Sequence, residues 1–189
     1  QENNKIDVVY SNYFISSNQK IEKKTKRLVN GYCQSKIIES YINGSPLTAW
    51  LTLMIKKNSI EKLEYSFDNK THISSDFDLI IRLSSFANFD YLDDYLAYYR
   101  VHKDNESKNT QKDISELIYI LNKVSKNKNL VRIFCYKNFL YKLYIKYFIQ
   151  KKFENNLNES FYLAYNIKVK IIYFIIKILP KNILKFITK

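Results

Sequence analysis

Apolar and polar positions follow two rhythms along this chain. Up to about residue 107, apolar residues come in short clusters separated by polar stretches; beyond it they recur at helical spacing. Residues 6–10, Ile-Asp-Val-Val-Tyr, read as a short, mostly buried strand. Residues 11–27 are polar and read as a loop or a ragged hairpin. A helix is predicted over 34–41, stopped by Asn43, Gly44, Ser45 and Pro46. Residues 50–55 are β-rich and continuous in apolar character, which predicts a covered strand. Residues 58–63 read as a short helix. Ser75-Asp76-Phe77-Asp78 fits a capping box, a hydroxyl followed three residues later by an acid. Behind it Leu79, Ile80, Leu83 and Phe86 fall on one helical face. Two short strands are predicted over 88–92 and 95–101, joined around Asp93 and Asp94, and residues 103–111 read as a polar loop.

The second rhythm is helical. Ile114, Leu117, Ile118, Leu121 and Val124 form one stripe, and Leu140, Leu143, Tyr144, Tyr147 and Phe148 a second. A third runs over 161–179, is interrupted by Pro180, and resumes as Ile183, Leu184 and Ile187. The expected organisation is therefore an α/β portion over 1–107 and a basic α-helical region over 108–189.

Composition sharpens this division. With 46% hydrophobic residues, 2 Gly and 2 Pro in 189 residues, the chain can bury a core and is not of the disordered class. Its net charge of +13 is uneven. Residues 1–107 hold 14 basic and 14 acidic side chains; residues 108–189 hold 17 and 4. All the excess sits in the helical region, which points to an anionic partner there, a membrane surface or nucleic acid. Cys33 and Cys135 match no metal or redox spacing and read as reduced, buried thiols. The sequence starts at Gln1 and its only methionine is Met54, so it reads as a piece of a longer protein, a trimmed chain or a processed product.

The residue that stands out chemically is Asp76. In the first turn of a helix, backbone N–H groups and the helix dipole favour a negative charge. An ionised carboxylate facing a cleft can accept a proton from a hydroxyl, which is general-base work. Taken alone, Asp76 and Asp78 fit equally the commoner role of first-turn acids that stabilise the helix.

Four stretches, in order, change that weighting. Residues 75–83, Ser-Asp-Phe-Asp-Leu-Ile-Ile-Arg-Leu, resemble the Glu-Asp-x-Asp-Leu-x-x-Arg-Leu motif of family 2 glycosyltransferases, inverting enzymes of the GT-A fold. Residues 89–102 resemble the strand pair that follows it, ending in Tyr99-Arg100-Val101-His102 and a loop with Asn105 and Ser107. Asp7-Val8-Val9-Tyr10-Ser11 is similar to the strand after the family's metal-binding Asp-x-Asp. Residues 52–57 are similar to the strand leading toward its acceptor site. The likeness covers about residues 6–107.

The resemblance implies the C-terminal portion of a Rossmann-like GT-A domain, followed by the helical tail. It implies that Asp76 is the catalytic base, deprotonating a glycan or lipid-linked acceptor for a single displacement on a nucleotide sugar. Ser75 stands where the family usually has Glu. Arg100 and His102 would lie near the donor's diphosphate, and His102 would help hold a divalent metal, Mg or Mn. The principal ligands, the Asp-x-Asp, are expected outside this chain, as is the nucleotide-gripping half. Alone, the chain is expected to lack most of the donor site and to be inactive. The alternative is a non-catalytic module that binds a partner glycosyltransferase or an anionic surface.

Lys168, Lys170, Lys177, Lys181, Lys185 and Lys189 decorate the last stripe, with no acid after Glu159. The longest apolar run there is 171–176, far short of the ~20 residues of a membrane span. Two readings stand for 161–189: a basic amphipathic helix lying on an anionic membrane, and helices packed in a bundle with solvated lysines. The tyrosines and lysines of 136–147 fit a helix with an aromatic buried face better than a nucleic-acid platform. The expected location is cytoplasmic, or peripheral on the inner face of the cell membrane.

Overall fold

The strand β1, Val8–Ser17, organises the first half of the protein. In the computed structural model, which describes residues 5–17, 20–24, 31, 34–42, 48–105, 110–124, 126, 136–164 and 166–187, the architecture is mixed α/β. The chain divides into two compact units, Gln1–Lys108 and Asn109–Lys189. The turn predicted at 43–46, both cysteines and Ser107 lie outside the described residues.

In the first unit β1 is twice as long as its apolar start predicts. Its second half forms an antiparallel pair with β2, Lys20–Lys24, from Tyr13↔Lys24 to Ser17↔Lys20. All five residues of β2 are exposed, and its lysines discourage pairing of the free edge with another strand. The N-terminal end of β1 pairs antiparallel with the two-residue β3, Met54–Ile55. Along its other side β1 runs parallel to β4, Phe89–Arg100. The helices are α1, Gln34–Ile42, α2, Lys57–Glu61, and α3, Ser75–Leu83. Val8, Ile37, Leu79, Ile80, Leu83, Ala87 and Phe89 form the core where α1 and α3 meet the sheet. Gly31 exchanges two backbone hydrogen bonds with Phe89 (2.7 and 3.1 Å) at a φ of 78°, a left-handed conformation that glycine adopts without Cβ strain.

Three expectations are corrected. Residues 50–55 are not a covered strand: Trp50–Thr52 is a 3-10 turn, and only Met54 and Ile55 join the sheet. The carbonyl of Ala49 accepts from both the amide and the hydroxyl of Thr52, each at 2.9 Å, and closes the turn. Trp50 is left 47% exposed and Met54 76%. Residues 88–92 and 95–101 are not two strands but one bulged strand. Ser11 faces Leu92, Asn12 faces Tyr95 and Tyr13 faces Ala97, so Asp93, Asp94 and Leu96 are extra residues. The buried Asn12 holds the bulge by donating its side-chain amide to Asp93 Oδ1 at 2.9 Å. The capping box does not form, because α3 begins one residue early, with Ser74 at the N-cap. Asp78 is then the fourth residue of the helix rather than the third and its carboxylate is taken up by Arg82, while Ser75 donates its hydroxyl to the carbonyl of His72 (3.0 Å).

The second unit comprises α4, Thr110–Val124, α5, Tyr136–Phe153, a 3-10 turn over Asn158–Leu163, α6, Ile167–Ile178, and α7, Lys181–Ile187. All five members of the second sequence stripe, from Leu140 to Phe148, are buried. Tyr144 satisfies its hydroxyl by accepting from the side-chain amide of Asn122 at 2.9 Å, and Phe148 meets Tyr173 of α6 edge-on at 5.4 Å. Asn155, at φ 64°, turns the chain away after α5.

Candidate functional site

The sequence around α3 places two acids two residues apart on a helix, and that spacing sends their side chains about 200° apart around its axis. They cannot face the same way. Asp78 points inward, its side chain 1% exposed, and binds Arg82 through Oδ2 (2.9 Å to Nε, 2.8 Å to Nη2). Arg82 also donates to the carbonyls of Tyr65 (2.6 Å) and Ser66 (2.8 Å), with its guanidinium 4.3 Å from the Tyr65 ring centre. One arginine thus ties the segment before α3 to the helix itself. The signal was present in sequence as an acid four residues ahead of an arginine, which is the favourable order on a helix.

Asp76 occupies the opposite side of the first turn, half-buried, and its Oδ1 accepts from the amide of Phe77 at 2.7 Å. Close by, Tyr41 of α1 packs against Phe77 with ring centres 4.3 Å apart and planes tilted by 35°. Burial pushes the Tyr41 phenol far up, the neighbouring charge of Asp76 pushes it further, and the nearby Thr48 side chain only partly opposes them. Tyr41 is therefore a neutral hydroxyl near a carboxylate at ordinary pH.

A cleft of about 730 Å³ opens against the sheet, lined in part by Val9 and Ser11 of β1, Leu53 and Lys56, and Asp90 and Leu92 of β4. Side chains alternate along a strand, so Val9 and Asp90 lie on the face opposite the core residues Val8 and Phe89. The cleft's lining does not include Asp76, Arg100 or His102. At its edge Asp7 accepts from Ser59 Oγ (2.6 Å) and from the amide of Asn88 (2.8 Å). Burial raises the Asp7 carboxyl, but these hydrogen bonds and the charges of Lys62 and Lys56 outweigh it and hold it below its ordinary value.

Arg100 and His102 are exposed at the far end of β4. Asn105 organises the turn there, accepting from the His102 amide and donating to the carbonyl of Arg100 at 3.3 Å. They do not join Asp76. From Phe89 to Arg100 the strand extends roughly 30 Å, while Asp76 lies only about 10 Å along α3 from Leu83, which shares the core with Phe89. The two groups are thus on the order of 10 Å or more apart. Among the described residues no three His, Cys, Asp or Glu side chains converge to hold a metal ion.

The chain is 32% identical over 154 residues to a protein from Methanocaldococcus jannaschii described as an uncharacterized glycosyltransferase. The match covers 78% of this chain and 51% of that relative. No protein-family model and no solved structure matches the chain. The chain therefore spans about half the length of the curated relative it matches, and the likeness supports glycosyl transfer in general terms.

Proposed function

We propose that this chain is the acceptor-side part of an inverting, family 2, GT-A-type glycosyltransferase, with Asp76 as the general base. The observation that carries the reading is the position of Asp76. It sits in the first turn of α3, partly open, on the side of the helix away from the Asp78–Arg82 pair. In the reaction the acceptor hydroxyl oxygen attacks the anomeric carbon of a nucleotide sugar, and its proton passes to Asp76. The bond from that carbon to the diphosphate oxygen breaks on the opposite side, and the electron pair leaves with the diphosphate. Base and leaving group then lie on opposite sides of the reacting carbon. Arg100 and His102, well separated from Asp76, suit contacts to the diphosphate rather than to the acceptor.

No step is assigned to a metal through this chain's described residues. The donor's nucleotide and any cation are held, in this reading, by other segments of the whole protein. The test is Asp76→Asn in the whole enzyme. Loss of a positioned general base costs about 10²–10⁴-fold in rate, with nucleotide-sugar binding retained. Transfer at the wild-type rate would overturn the assignment.

A further inference from the structure

α6 is apolar on two opposite sides. Val169, Tyr173 and Ile176 are buried and pack the helix into its unit. Ile167, Ile171, Phe174, Ile175 and Ile178 are 74%, 52%, 50%, 51% and 80% exposed. At about 100° per residue these five fall within an arc of about 100°. The arc is bordered on both sides by lysine. Lys168 lies about 20° beyond one edge, at Ile175, and Lys170 and Lys177 lie about 40–60° beyond the other, at Phe174. All three are exposed. α7 continues the theme: Leu184 is buried, while Ile183 and Phe186 are 45% and 78% exposed beside exposed Lys181 and Lys185.

The opposite side of α6 does most of the packing; within the outward stripe Phe174 also meets the Tyr173 ring edge-on (centres 5.5 Å apart) and still remains 50% exposed. An isolated exposed isoleucine is ordinary; seven large apolar side chains across two successive helices are not. The lysines identify the occupant. No acid follows Glu159, so the charged side chains that α6 and α7 themselves carry are of one sign. A protein partner would need an apolar patch ringed with acids. A membrane leaflet offers both parts at the required depths, acyl chains for the stripe and anionic headgroups for the lysines on either side. Among the described residues no helix is long and apolar enough to cross a membrane. α6, at 12 residues, is about 18 Å long, against about 30 Å of hydrocarbon.

We propose that α6 and α7 form an interfacial docking face that lies in the plane of an anionic phospholipid bilayer, with the stripe from Ile167 to Ile178 inserted and the flanking lysines at headgroup level. This inference rests on the tail alone and stands whether or not Asp76 is a base.

The test is co-sedimentation of the 189-residue chain with phosphatidylcholine vesicles, with and without phosphatidylglycerol. The chain should partition onto the anionic vesicles and release progressively as salt is raised. Ile178→Asp, at the most exposed stripe position, should weaken partitioning about tenfold or more while leaving the thermal melt unchanged. Lys168→Glu with Lys177→Glu should weaken binding to anionic vesicles and flatten its salt dependence. Three results would overturn the proposal. They are no partitioning at low salt, partitioning indifferent to Ile178→Asp, and a dimer in solution that Ile178→Asp dissolves without any vesicle binding, which would make the stripe a contact between copies.

Discussion

Removing the Arg82 side chain should destabilise the first unit more than any other single surface-reaching change in it. Asp78 is almost wholly sealed, with 1% of its side chain exposed, and Arg82 is 14% exposed. A carboxylate in that position depends on its partner. Deleting one member of a buried ion pair typically costs about 3–5 kcal/mol, mostly through the charge left behind. Arg82→Ala also abandons the carbonyls of Tyr65 and Ser66, each worth about 1 kcal/mol when partly open to water, and the guanidinium contact with the Tyr65 ring. These losses overlap, so the expected total is about 4 kcal/mol. Arg82→Lys keeps a charge near Asp78 but has no planar fork to serve three acceptors, and should fall between. Trp50 is the chain's one tryptophan and packs edge-on against Phe67, next to the residues Arg82 holds, so its fluorescence reports this unit. Urea midpoints of the wild type, Arg82→Ala, Asp78→Ala and the double variant close a cycle. The double variant should be far less damaged than the sum of the singles, because removing both partners leaves no orphaned charge. A loss below about 1 kcal/mol for Arg82→Ala, or simple additivity, would refute the account.

Two further changes test other joints. Asp7 fastens β1 to the start of α2 and to Asn88, so Asp7→Ala should cost about 1–3 kcal/mol in urea unfolding. Because its folded carboxyl is held below the unfolded value of about 3.9, that stabilisation is present at neutral pH and is lost as pH falls through the folded value. The gap between wild type and variant should therefore shrink in acid, and a gap that widens would contradict the hydrogen-bond assignment. Lys152 donates to the carbonyls of Ile176 (2.8 Å), Lys177 (2.7 Å) and Leu179 (2.5 Å), closing the C-terminal end of α6. Lys152→Met keeps the stem and removes the donor. It should lower stability by about 1–3 kcal/mol and speed amide exchange in the last turn of α6, and unchanged exchange there would remove the cap from the account.

The helices were more legible than the sheet, for a physical reason. A helical stripe is written in local spacing, so the positions from Leu140 to Phe148 could be read without knowing what they pack against. Strand pairing is non-local. The length of β1 comes from two partners on one side and a third on the other, and nothing in Asn12-Tyr13-Phe14 announces that β4 will run alongside it. The same holds for Asp93 and Asp94. Two adjacent acids read as a turn between strands, and only the buried amide of Asn12, 81 residues earlier, turns them into a bulge. Residues 50–55 misled in the opposite sense. Their apolar run was real, but two hydrogen bonds to Ala49 shape it into a turn and leave Trp50 and Met54 outside.

At the candidate site, local spacing left Asp76 and Asp78 both as first-turn acids and only the resemblance favoured Asp76; helical geometry adds a separate reason to distinguish them. Helical spacing forbids Asp76 and Asp78 from sharing one direction, and burial decides which is spent on the fold. Asp78 lies under the helix with Arg82, where protonation or substitution would disturb packing before it disturbed any substrate. Asp76 keeps a partly open carboxylate, and the Tyr41 phenol near it stays neutral because burial and that carboxylate both oppose its ionisation. The two residues should therefore separate in the same pair of assays. Asp76→Asn should leave the urea midpoint nearly unchanged and remove transfer in the whole enzyme, since an amide can still accept from the Phe77 amide but cannot take a proton. Asp78→Asn should lower the midpoint, and activity should follow the folded fraction only. If both variants lost stability and activity in proportion, the division of labour argued from the 200° offset would be wrong, and Asp76 would be an ordinary first-turn acid.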